Sequence, residues 1–97
     1  MAVYVDDYYK TGMSKVGYMK MSHIIADTRK ELLDITKKIG VSHKWIQDKG
    51  TAREHFDICM VKRTKAIQCG AIEIGYRELA TVTTTRMYEG HACMKDT

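Results

Sequence analysis

The sequence predicts a single compact α/β domain, with a small, mostly parallel sheet of four or five strands and two main helices. Three observations point there. The chain has 97 residues, a length that suits one domain. Apolar side chains alternate with period two in residues 2–6 and 18–26, the spacing of a strand with one covered face. They recur at helical spacing in residues 28–39 and 57–69, and Gly40 or Gly70 closes each run. Strand–helix–strand units with short connections set their strands parallel, with right-handed crossovers.

Taken in order, residues 2–6 set Val3 and Val5 against Tyr4 and Asp6 and read as the first strand, closed by Asp6 and Asp7. Residues 8–17 carry Lys10, Gly12, Ser14, Lys15 and Gly17 and read as a loop. Residues 18–26 form the second strand. One of its faces shows Met19, Met21, His23 and Ile25, and the other Tyr18, Lys20, Ser22, Ile24 and Ala26. Thr28 to Glu31 is a capping box, in which the threonine oxygen accepts the N3 amide and the glutamate reaches back. Leu32, Ile35 and Ile39 follow at helical spacing, with Leu33 widening the stripe, until Gly40 ends the helix.

Residues 41–47 read as a third strand. The second helix is placed from Asp57, as its N-cap, to Cys69, which leaves residues 50–56 as loop. Thr51 and Glu54 offer a competing capping box. Residues 71–74 give a fourth strand and residues 76–80 a helical turn. Residues 1–80 then make the domain, and residues 81–97 an edge strand and a mobile tail.

No apolar run approaches the roughly 20 residues that span a bilayer. The amino terminus lacks the basic and apolar regions of a secretory leader, so the protein is expected in the cytoplasm and off the membrane. Cys59, Cys69 and Cys93 form an odd set with no C-x-x-C pair, as reduced thiols do. Sixteen basic residues against 12 acidic permit attraction to phosphates. They are dispersed rather than gathered into an arm, so a nucleic-acid partner is not favoured. A chain of this size has a modest core, and homo-oligomerisation is expected.

In open parallel sheets, ligands bind beyond the carboxyl ends of the strands. On that rule Asp6 and Asp7, Asp27 and Gln47 share one edge with His55 and Asp57 at the start of the second helix. The segment from Trp45 to Asp57 adds the single tryptophan, a turn at Gly50, Thr51 and the H-x-D pair. Loops on a rigid scaffold are where functional residues gather. Asp57 is spaced to orient the His55 imidazole, although a helix cap alone explains it equally well. His23 reads first as a core histidine, Trp45 as a core anchor, and Lys62 and Arg63 as a solvated face.

Tyr4-Val5-Asp6-Asp7, Ser22-His23-x-x-Ala26-Asp27, Trp45-x-Gln47, Gly50-Thr51, His55-Phe56-Asp57 and Lys62-Arg63-x-x-Ala66 together resemble domain-of-unknown-function family 4031. These are short bacterial and phage proteins, and the likeness runs from about residue 2 to residue 80. The resemblance implies no reaction. Some members resemble an amino-terminal module joined to an HD-type phosphohydrolase domain, which implies a setting in nucleotide metabolism. A phage anti-defence or host-modulating role, in the host cytoplasm, is the implied context. The chain departs from the family in its longer loop after Asp7 and in its tail after Thr81.

Two functions follow as expectations. The first is binding, or sequestering, a nucleotide-derived anionic small molecule without catalysis or cofactor. Asp6, His23, Asp27, Trp45, Gln47, Thr51, His55, Asp57 and Arg63 would line that site, with the free amides of the second helix facing the anion. Tyr4 and Tyr8 join Trp45 as stacking surfaces. The alternative is a metal-dependent phosphohydrolase acting on a nucleotide-like substrate. There Asp6, His55 and Asp57 are the candidate ligands of a divalent ion, with Asp7 and His23 beside them. It ranks second because no compact ligand spacing marks it.

Overall fold

The computed structural model describes residues 2–11, 15–16, 19–51, 53–79 and 81–82. They form one α/β unit in which five strands make a mixed sheet. The strands are β1 (Val3–Val5), β2 (Lys15–Val16), β3 (Met19–Ala26), β4 (Phe56–Cys59) and β5 (Ile72–Glu73). The two α-helices are α1 (Arg29–Ile39) and α2 (Met60–Gln68), and short 3-10 turns occupy Tyr8–Lys10 and His43–Trp45.

The sheet is not mostly parallel. β3 pairs antiparallel with β1, β2 and β4, and only β1 and β5 run parallel. The connection from β3 to β4 explains the difference. α1 carries the chain back along the sheet as a crossover would. Residues 41–55 then cross it again instead of forming a strand, so β4 enters from the opposite end. The third strand expected at residues 41–47 is therefore replaced. Ser42 caps the turn at His43–Trp45, and only Gln47 forms a bridge, with His55.

α1 is built as its sequence dictates. Thr28 accepts the Glu31 amide at 3.2 Å and donates its hydroxyl to the Glu31 carboxylate at 2.9 Å. Such a cap contributes about 1 kcal/mol. Gly40 takes φ 83°, and Val41 N–H reaches Thr36 O at 2.8 Å, which closes the helix in a Schellman turn. α2, by contrast, starts two residues later than expected. Asp57 lies inside β4 and Cys59 occupies the N-cap, so Asp57 caps nothing. Phe56 and Ile58 are buried while Asp57 and Cys59 are not, and that period-two pattern holds the segment in the sheet.

Val5, Ile24, Ala26, Phe56 and Ile58 pack against Leu32, Ile35 and Ile39 of α1 and Ala66 of α2. Both helices therefore cover one face of the sheet. Strand alternation sends Tyr4, Asp6, His23, Ile25 and Asp57 to the other face. On β3 the core face is the one with Ser22, Ile24 and Ala26, not the one with Met21 and His23. The loop expected at residues 8–17 holds the first 3-10 turn and β2. Thr81 and Val82 are helical, and the remainder of the edge strand and tail lies outside the described residues. Among the described residues no helix is long and apolar enough to cross a membrane.

Candidate metal centre

His23 and Asp57 are direct partners in the β3–β4 register, and His55 lies two residues before Asp57 on the same strand face. Three ligand atoms, one from each of His23, His55 and Asp57, fall within 4.8 Å of one another. His23 Nε2 is 3.6 Å from Asp57 Oδ1, and His55 Nε2 is 3.7 Å from the same oxygen. The two imidazoles meet edge to face at 5.3 Å. Zinc at about 2.0–2.2 Å from each ligand needs those atoms about 3–3.5 Å apart. Closing to that spacing would need a modest inward movement of the three partly buried side chains.

The tautomers follow from the neighbours. His23 Nδ1 lies 2.6 Å from Asp6 Oδ2, and a carboxylate only accepts, so Nδ1 carries the proton. His55 Nδ1 lies 2.7 Å from the Arg53 carbonyl, which imposes the same choice. Both Nε2 lone pairs are then left pointing toward Asp57. Gln47 Nε2 donates to Asp57 Oδ2 at 2.6 Å, which turns Oδ1 to the histidines. Metal-binding histidines usually donate their second N–H in this way, and their partners fix ring orientation.

Asp6 is buried at 0 % exposure and holds His23 twice, because its Oδ1 also accepts the His23 amide at 2.8 Å. That oxygen accepts Tyr8 N–H as well, at 3.2 Å. The Tyr8 ring stacks on His23 with centroids 4.7 Å apart, and Tyr76 meets Tyr8 edge-on at 6.1 Å. The loop before His55 is tethered to α1. Glu54, 5 % exposed, takes the Arg29 guanidinium at 2.6 Å and the Gly50 amide at 2.7 Å. Asp48 adopts a left-handed φ of 53° there, and its carboxylate lies 3.7 Å from His55 Nδ1.

Of the expected site residues, the fold brings Asp6, His23, Gln47, His55 and Asp57 together. Asp6 sits behind His23 rather than among the converging atoms, since both its oxygens are engaged. Asp27 is left out: the antiparallel pairing puts it at the far end of β1, where it accepts the Ala2 amide at 2.8 Å. Trp45 is 63 % exposed, and its ring faces Lys44 rather than the cluster. Thr51 bonds the Asp48 carbonyl within its own turn. Asp7 accepts the Tyr76 amide. Arg63 is buried and points inward to the Asp6 carbonyl, not to an external phosphate. Tyr76 and the Arg29–Glu54 tether carried no signal in the sequence, because each depends on a contact between distant segments.

The electrostatics favour a cation. Asp6, Asp48 and Asp57 surround the two imidazoles. The hydrogen bond that His23 donates to Asp6 raises the His23 pKa above its usual 6.5, against partial burial, and the charges of Asp6 and Asp57 add to the rise. Folding thus shifts His23 toward its protonated form. Its contribution to the stability of the metal-free protein is full below pH 6.5 and is lost as pH climbs through the raised value. Urea midpoints of the metal-free protein are therefore expected to be higher at pH 6 than at pH 8.5, with a smaller difference in Asp6→Asn. An equal difference in the two proteins refutes the assignment.

A family model described as protein of unknown function (DUF4031) matches residues 3–86. No curated protein and no solved structure matches the chain.

Proposed function

The chain belongs to the DUF4031 family, whose description assigns no function, and we propose from the site itself that it is a metal-dependent hydrolase of nucleotide-like phosphate esters. One observation carries this reading: two imidazole Nε2 atoms and one carboxylate oxygen converge on an open face, with all three side chains oriented from behind. Two histidines and a carboxylate suit Zn, Mn or Fe and leave coordination positions for water and substrate. A bound ion would acidify water and polarise a phosphoryl oxygen. In the reaction the water oxygen adds to phosphorus, the ester P–O bond breaks, and the leaving oxygen takes up a proton.

The chain's own groups have distinct parts in this scheme. His23, His55 and Asp57 hold the ion, while Asp6, the Arg53 carbonyl and Gln47 fix their orientations. The Tyr8–Tyr76 pair beside His23 offers a surface for a planar base. Arg77, its Nε 3.3 Å from the Tyr76 hydroxyl, supplies a cation for an anionic group. The sequence ranked simple anion binding first. That order rested on the lack of a compact metal-ligand spacing and on helix amides expected beside His55 and Asp57, and α2 starts beyond both residues. An acidic cluster without a metal repels an anion. Self-association fits the exposed Trp45, Val61 and Ile72, and a reduced cytoplasm fits the free Cys59 and Cys69.

The test is to strip the protein with a chelator and add zinc, manganese or iron(II) separately. Phosphate release is then followed from nucleoside monophosphates and from p-nitrophenyl phosphate. Turnover restored by one ion and absent in His55→Ala supports the hydrolase. Retention of unchanged nucleotide, indifferent to the chelator, favours sequestration instead. Failure to retain any of the ions at micromolar concentration overturns the metal centre.

A further inference from the structure

We infer that Arg63, on the opposite side of the sheet from the open site, is a positioning residue for the metal ligand His23 and acts through the backbone carbonyl of Asp6. The inference rests on the metal centre above, and the structure supplies a separate reason for it. At the end of β1 the ladder with β3 is broken in an unusual manner. Asp6 N–H still donates to the His23 carbonyl at 3.1 Å. The return bond from His23 N–H ends on Asp6 Oδ1, not on the Asp6 carbonyl. That displaced carbonyl is taken by Arg63 Nε at 2.9 Å.

The two exchanges depend on each other. An Asp6 carbonyl without Arg63 would be a buried acceptor with no partner, which is unfavourable. The donor that a regular antiparallel ladder would give it is His23 N–H. Turning back to that donor would restore a regular ladder and evict the carboxylate, which then loses its hold on the imidazole. Arg63 itself is fixed on two further sides. Its Nη2 donates to Glu73 Oε1 at 3.1 Å, and its guanidinium lies 4.8 Å from the Tyr9 ring centroid. Tyr9 N–H in turn donates to Ser22 Oγ at 3.1 Å, next to His23. A chain of contacts thus runs from α2 and β5 to the ring that presents Nε2 to the metal.

Two substitutions of equal length separate this role from general packing. In Arg63→Gln the amide Nε2 takes the place of the arginine Nε and keeps the bond to Asp6, while the charge and the Glu73 contact are lost. In Arg63→Met a methyl group stands there. Zinc affinity is measured by titration calorimetry, and the His23 Nδ1–H proton is followed by NMR in the metal-free protein. Arg63→Met is expected to weaken zinc about tenfold or more, the usual scale for an outer partner of a ligand, and to lose the resonance. Arg63→Gln is expected to keep both close to wild type.

Equal affinity in wild type and both variants overturns the inference. So does an equal loss in both variants, because charge or packing would then be the cause. Should Arg63→Met not fold, Arg63→Lys carries the same test, since it keeps the charge but puts a methylene where Nε stood. Should wild type bind no zinc, the metal reading has failed by itself. The clamp on His23 is then decided by the resonance alone: its loss in Met or Lys but not in Gln supports the clamp, and its survival in all overturns it.

Discussion

Asp57→Asn is expected to weaken zinc binding roughly 100-fold with little change in the stability of the metal-free protein. Structural zinc sites gain about 10–16 kcal/mol from four ligands, so one ligand accounts for about 3 kcal/mol. Asparagine is the right probe because it keeps the shape of the side chain. Its oxygen still accepts from Gln47, and the half-exposed position in β4 needs no charge for the fold. What it loses is the anionic oxygen facing the two imidazoles. Calorimetric titration with zinc, paired with thermal melting after chelation, reads both effects. Unchanged affinity would remove Asp57 from the ligand set, and a collapse of the metal-free fold would make its role structural.

Phe56→Ala is expected to cost about 3–5 kcal/mol, as for other large aromatic truncations in a closed core. Phe56 is fully buried among the residues shared by the sheet and both helices. Domains are stable by only about 5–15 kcal/mol in total, so this one change uses a large part of the margin. It also sits between His55 and Asp57, with its side chain on the opposite face. The metal-free variant is expected to show a much lower urea midpoint, and added zinc to restore part of it by mass action. A loss below about 1 kcal/mol would mean that β4 does not pack as described.

The parts of the fold legible in the sequence are those fixed by neighbours in the chain. The capping residues Thr28 and Glu31, the stripe of Leu32, Ile35 and Ile39, and Gly40 locate α1 almost to the residue, because each acts within a turn or two. β1 and β3 were legible from alternation. The sheet's direction was not, since residues 41–55 recross the sheet through turns that leave no periodic pattern. Asp57 was misplaced for a related reason. An acid shortly before a helical run looks like a cap, and only the alternation of Phe56 and Ile58 with His55 and Asp57 told otherwise. The site residues His55, Asp57, His23, Gln47 and Asp6 were all legible as candidates. Their arrangement was not: which carboxylate faces both imidazoles and which stands behind a histidine depends on strand pairing.

The bond that the His23 amide donates to the Asp6 carboxylate also bears on alignment. β1 has only three residues, and its apolar pattern is the same after a slip of two places along β3. Val3 and Val5 would still face the helices, so burial alone does not distinguish the true pairing from that slipped one. A slip of two sets Asp6 opposite Met21 or Ile25, and neither has an imidazole to receive its second oxygen. One aspartate thus rejects the errors that hydrophobic parity tolerates. The aspartate that orients the His23 imidazole also fixes the alignment of the amino-terminal strand.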